Sequence, residues 1–166
     1  GDGVADIIVG SPGAPPALPG AAAGKAYVYY GKDTVDDEGL PTGESFAVTV
    51  DLETIATADG MHIVHGGADW RGTGGGVEYL GDVNDDGIGD FAVVASERPL
   101  STNFNPDGFI VYGEDGARDS LTLDLNGADP ANVGVFDFGE VFSGDGDVVG
   151  TGDFDGDGIE DVVFTN

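Results

Sequence analysis

A length of 166 residues fits one domain, or one slice of a larger one, at about 150 residues per domain, and 32 acidic against 5 basic side chains leave a net charge of −27. That balance lacks the clustered Lys and Arg with which proteins grip phosphate backbones or anionic membrane surfaces, so nucleic acid is not an expected partner. No cysteine is present, which excludes disulfide staples and thiolate metal sites. No apolar run approaches the roughly 20 residues of a membrane-spanning helix, so no membrane insertion is expected.

In chain order, Asp2-Gly3-Val4-Ala5-Asp6 leads into the apolar run Ile7-Ile8-Val9, which is short, bounded by turn residues and therefore predicted to be a strand. Ala26-Tyr27-Val28-Tyr29-Tyr30-Gly31 predicts a second strand and Phe46-Ala47-Val48-Thr49-Val50 another, separated by the acidic, turn-rich stretch from Asp33 to Gly43. Met61-His62-Ile63-Val64-His65 also reads as a strand. Val77 to Leu80 enters the loop Asp82-Val83-Asn84-Asp85-Asp86-Gly87-Ile88-Gly89-Asp90, and Phe91-Ala92-Val93-Val94 leaves it. Gly108-Phe109-Ile110-Val111-Tyr112-Gly113 repeats the pattern of 26–31, and Leu121 to Leu125 predicts a fourth strand with 46–50 as its counterpart. Val148 to Thr151 then enters a second complete loop, Asp153-Phe154-Asp155-Gly156-Asp157-Gly158-Ile159-Glu160-Asp161, followed by Val162-Val163-Phe164.

The two loops superpose on each other, and Asp2 to Asp6 superposes on the second half of the pattern, Asp86 to Asp90. The loops end at residues 6, 90 and 161, so the first period is the longer. The excess falls between Gly31 and Asp82, with Asp33 to Gly43 as the natural place for an insertion. Four strands per period predict an all-β chain built as β-propeller blades of four antiparallel strands. The division is a partial blade over 1–60 that starts inside its loop, a complete blade over 61–130 and the first half of a further blade over 131–166. About two blade equivalents do not close a ring, so the chain is expected to be part of a larger propeller, or else copies assemble through their open blade edges.

Oxygen donors at positions 1, 3, 5 and 9 of a turning loop can wrap one hard cation, with the carbonyl of position 7 as a further donor. In the first complete loop these are Asp82, Asn84, Asp86, Ile88 and Asp90, and in the second Asp153, Asp155, Asp157, Ile159 and Asp161. The half-site supplies Asp2, Val4 and Asp6. Gly87 and Gly158 follow the third side-chain donor, where the turn is sharp. Calcium is preferred to magnesium because a carboxylate-rich, flexible loop tolerates coordination that a strict octahedron does not. The expectation is therefore two complete calcium sites and one partial site. A nine-residue loop closed by Asp and followed by a strand is not an EF-hand, which has 12 residues and a closing Glu between helices. A hydrophilic turn alone would also favour Asp, Asn and Gly, but recurrence before an apolar strand argues against that. Three divalent ions would offset only six charges, so most of the acidity reads as solvated surface.

Enzymatic alternatives find little support. His62 and His65 are the only histidines, and on a strand their rings would point to opposite faces. Arg71, Glu78 and Tyr79 form no legible nucleophile and base pair. The glycines of 72–76 have neither the Lys nor the helix of a phosphate loop, and Trp70 reads as packing rather than a sugar platform.

Gly3-Val4-Ala5-Asp6-Ile7-Ile8-Val9-Gly10-Ser11-Pro12, Gly87 to Val94 and Gly24 to Gly31 together resemble FG-GAP repeats, which form the β-propeller of integrin α subunits and of many bacterial surface proteins. Gly10-Ser11-Pro12 stands where that family has Gly-Ala-Pro, and Trp70-Arg71-Gly72 and Phe142-Ser143-Gly144 stand near its Phe-Gly. The resemblance implies ions that rigidify blade hairpins, a structural role rather than a catalytic one. The function expected is a non-catalytic, extracellular or cell-surface calcium-binding module for adhesion or scaffolding, with a protein or glycan ligand. The alternatives are an accessory propeller of a secreted hydrolase and a self-assembling fibre subunit. The extracellular setting follows from the millimolar-range affinities of extracellular calcium modules.

Overall fold

The computed structural model describes residues 4–15, 24–36, 38–47, 49–64, 71–97, 107–115, 122–125, 128–137 and 147–165. These form ten strands and one short 3-10 turn. The strands are β1 (Ile7–Ser11), β2 (Lys25–Tyr29), β3 (Gly60–Val64), β4 (Arg71–Gly81), β5 (Asp90–Glu97), β6 (Asp107–Val111), β7 (Thr122–Asp124), β8 (Val133–Asp137), β9 (Asp147–Gly152) and β10 (Asp161–Thr165), and the turn spans Leu52–Thr54. Among the described residues there is no α-helix, and no helix is long and apolar enough to cross a membrane.

Three sheets result, ordered β1-β2-β3-β7, β4-β5-β6-β8 and β9-β10. The second is antiparallel throughout, with consecutive register such as Val93 opposite Phe109 and Phe109 opposite Val135. Its inner strands carry unbroken apolar runs because both faces are covered. Val93 and Ala95 of β5, with Phe109 and Val111 of β6, pack against Ala26 and Val28 of β2 and Met61 and Ile63 of β3. On the opposite face, Ala92, Val94 and Ile110 join Leu80 of β4, with Val162 of β10 against them. The period-2 alternation of a strand thus feeds two apolar layers, and the three sheets stack in chain order as propeller blades do.

Two strand assignments from sequence differ from the structure. Leu121 to Leu125 was expected to be the fourth strand of the second sheet, a place taken instead by β8. Thr122–Asp124 pairs in parallel with β3 of the first sheet, His62 opposite Thr122 and Val64 opposite Asp124. Leu125 extends the join by donating its amide to the Val64 carbonyl at 2.8 Å. Its alternating pattern correctly marks a strand, but the choice of partner is made by packing far along the chain. Phe46 to Val50 forms no strand among its described residues. It belongs to the long connection between β2 and β3, where Phe46 lies against Tyr29 with ring centroids 6.3 Å apart. That connection, residues 30–59, exceeds the corresponding 112–132 segment between β6 and β8, and includes the 33–43 stretch, which turns back on itself through a bridge between Val35 and Pro41.

Candidate metal centre

The loop between β4 and β5 is organised by its own side chains. Asp82 accepts the amides of Asp86 at 3.0 Å and Gly87 at 2.7 Å, Asn84 accepts that of Asp86 at 3.1 Å, and Asp86 accepts that of Ile88 at 2.8 Å. The bonds at Asn84 and Asp86, each to the amide two residues on, are Asx turns, and the longer reach of Asp82 to residues four and five on folds the loop around its first carboxylate. The loop between β9 and β10 repeats the set: Asp153 accepts from Asp157 at 3.0 Å and Gly158 at 3.0 Å, Asp155 from Asp157 at 3.1 Å and Asp157 from Ile159 at 2.8 Å.

The backbone repeats as well. Position 6 is left-handed in both loops, with φ of 87° at Gly87 and 93° at Gly158, as the sequence predicts. Position 4 is also left-handed, and there one loop has Gly156 at 82° while the other holds Asp85 at 59°. Asp85 is the single non-glycine residue with positive φ among the described residues, so the two loops reach one backbone path from different residues.

The closing Asp of each loop ties it shut, since Asp90 accepts the Val83 amide at 2.9 Å and Asp161 the Phe154 amide at 2.9 Å. Asp90 has a second tie, accepting the Gly113 amide at 2.8 Å from beyond β6, and Asp6 accepts the Gly31 amide at the same distance from beyond β2. The equal placement of Gly31 and Gly113 after their loops thus has a physical cause. A side chain at either glycine would strike the preceding loop: Cβ on Gly113 would fall 2.5 Å from the Ile88 side chain and against the Gly89 carbonyl, and on Gly31 2.6 Å from Val4 and against the Ala5 carbonyl. These backbone partners were missed as site residues, although their spacing in sequence marked them.

Asp90 is fully buried, and burial pushes its carboxyl above the usual range. The Gly113 and Val83 amides oppose that shift, and the charges of Asp86 and Asp82 add to it. In the other loop Asp153, Asp155 and Asp161 each bring one carboxylate oxygen to within 4.8 Å of the others. Asp157 lies outside this trio, and in the first loop Asn84 supplies an amide in place of the second carboxylate, donating to Asp86 at 2.9 Å. The two loops lie at one edge of the stack, where Gly81 at the end of β4 faces the Glu160 side chain. Of the half-site, Val4 and Asp6 are placed, and Asp2 lies outside the described residues.

The donor chemistry suits a hard cation. Three carboxylate oxygens converge in the second loop, and a carboxylate oxygen that accepts one amide retains lone pairs for a further partner.

Over 166 residues the chain is 30% identical to Integrin alpha pat-2 of Caenorhabditis elegans, an alignment that covers 98% of this chain and 12% of the relative. The chain is similar to an integrin α subunit. It spans about an eighth of that relative's length. No family model matches the chain, and no solved structure matches it.

Proposed function

We propose that the chain is a non-catalytic, extracellular repeat module of the FG-GAP type, serving adhesion or scaffolding, whose blade hairpins are held by calcium. The observation that carries this reading is the convergence of Asp153, Asp155 and Asp161 in a loop whose hydrogen bonds recur at 82–90. Similarity to an integrin α subunit supports the adhesion setting. Asp153, Asp155, Asp157 and Asp161, with the Ile159 carbonyl, would hold one ion. Asp82, Asn84, Asp86 and Asp90, with the Ile88 carbonyl, would hold a second. Asp6 and the Val4 carbonyl, with Asp2, are the corresponding donors of the third loop. Bound calcium supplies positive charge among carboxylates that otherwise repel one another. The protein's own part is to present those oxygens already turned inward by the Asx turns.

The role follows from mass action, because an ion bound only by the folded chain stabilises it by about 2.7 kcal/mol at a hundred times its Kd. Calcorimetric titration with calcium is expected to show saturable binding, and a chelator to lower the melting temperature of the chain. Absence of binding heat together with an unchanged melting temperature would sink the calcium reading.

A further inference from the structure

The two large sheets present equivalent faces to different neighbours. Aligning the repeats on Asp6 and Asp90 places Ile7, Val9, Tyr27 and Tyr29 of the first sheet where the second has Phe91, Val93, Phe109 and Val111. In the second sheet those residues lie in or against the apolar layer shared with the first sheet. In the first sheet the same face turns away from that layer, since Ala26 and Val28 point into it and their neighbours Lys25, Tyr27 and Tyr29 point out.

Lys25, Tyr27, Tyr29 and His62 are nonetheless buried. What covers them is the chain's own connection between β2 and β3, a strap of residues 49–59 together with Phe46. Glu53, in the 3-10 turn capped by Asp51, reaches Lys25 Nζ at 2.5 Å and accepts the Tyr27 hydroxyl. The Leu52 carbonyl lies 2.8 Å from His62 Nε2, which stands edge-on to the Tyr27 ring at 5.1 Å. Phe46 lies over Tyr29, and Ile55 is buried against Gly60, where an added Cβ would come 2.8 Å from its side chain. The Asp59 carbonyl accepts the Tyr30 amide, and its carboxylate pairs with Lys32 at 2.7 Å. A Lys this deeply buried needs a partner, and Glu53 supplies it.

We propose that this strap stands in for a neighbouring blade, closing the β2–β3 half of the first sheet's outer face to stacking by another repeat, with Glu53 as its pin. A sheet face closed to stacking presents polar groups, and here they come from the strap and from the Lys, Tyr and His it covers. The segment that does this lies between Gly31 and Asp82, the stretch in which the first period is the longer. Beyond the strap, Ile7 and Val9 of β1 remain exposed, so the closure is confined to the strands on which a stacked sheet would have its centre.

Two variants of the full chain test the proposal, neither of which touches the acidic loops. In the first, residues 44–57 are replaced by a short Gly-Ser linker and the mass is followed by sedimentation over a range of concentrations. The strapless chain is expected to associate where the parent does not, and a folded strapless chain with the parent's mass and unchanged exchange of the Lys25–Tyr29 amides overturns the proposal. In the second, Glu53→Gln keeps the strap and weakens its pin. Hydrogen exchange at the Thr54 and Gly60 amides is expected to quicken about tenfold, with the β5 and β6 amides unaffected. Unchanged exchange at Thr54 and Gly60, or strap amides already unprotected in the parent, counts against the proposal even if the strapless chain does not fold.

Discussion

The loops at 82–90 and 153–161 share their hydrogen bonds and left-handed positions and differ in almost everything around them. The first is set into the stack: Asp90 is fully buried and tied to Gly113, and Val83 packs against the apolar layer of Leu80 and Val94. In the second, Asp161 is half-buried and Phe154, at the position of Val83, is 67% exposed. The lesson is that the loop is locally encoded by side-chain hydrogen bonds and glycines, whereas the burial of its closing Asp is set by the strands and the sheet packed around it.

The same substitution in both loops tests that division most strongly. Asp90→Ala strands two backbone amides, one reaching across to β6, and is expected to lower stability by about 2–4 kcal/mol; Asp161→Ala, in its more open setting, should lower it by about 1 kcal/mol. Equal losses in chemical denaturation would break the comparison. Exchanging the third position comes next. Asn84→Asp gives the first loop the carboxylate of the second, and Asp155→Asn does the reverse, so calcium affinity measured by titration is expected to rise in the one and fall in the other, each by about tenfold, roughly 1.4 kcal/mol. Shifts of the same sign would show that position 3 is not a ligand. The smallest effect concerns position 4. Asp85→Gly relieves a left-handed Asp and is expected to change stability by no more than about 1 kcal/mol in the favourable direction. Gly156→Ala should cost about 1 kcal/mol, both read from thermal melts.

Much of this was open to reading from the residues. Periodicity and turn punctuation located β1, β2, β3, β5, β6, β9 and β10 and the Val77–Leu80 end of β4, because each is a short apolar run next to Gly, Asp or Asn. The bounds of the two complete acidic loops were legible, since their side-chain hydrogen bonds join residues two to five apart and depend on local spacing. What escaped depends on distant contacts. Val133–Asp137 has a Gly at its second position and an Asp at its end, and becomes a strand because β6 offers it an edge with Val135 opposite Phe109. Phe46 to Val50 has the composition of a strand, yet Phe46 is used to cover Tyr29. The burial of Asp90 was likewise invisible, as it requires three strands and Gly113 to be in place.

The short parallel pairing of β7 with β3 carries a consequence for how the chain is made. The first sheet is completed by residues of the second repeat, so while the chain emerges from the ribosome β3 keeps an open edge until Thr122–Asp124 has been synthesised. Its last pairing closes a loop from His62 to Thr122, a non-local step that is slow to form, and during that delay the edge of β3 is open to pairing with another chain.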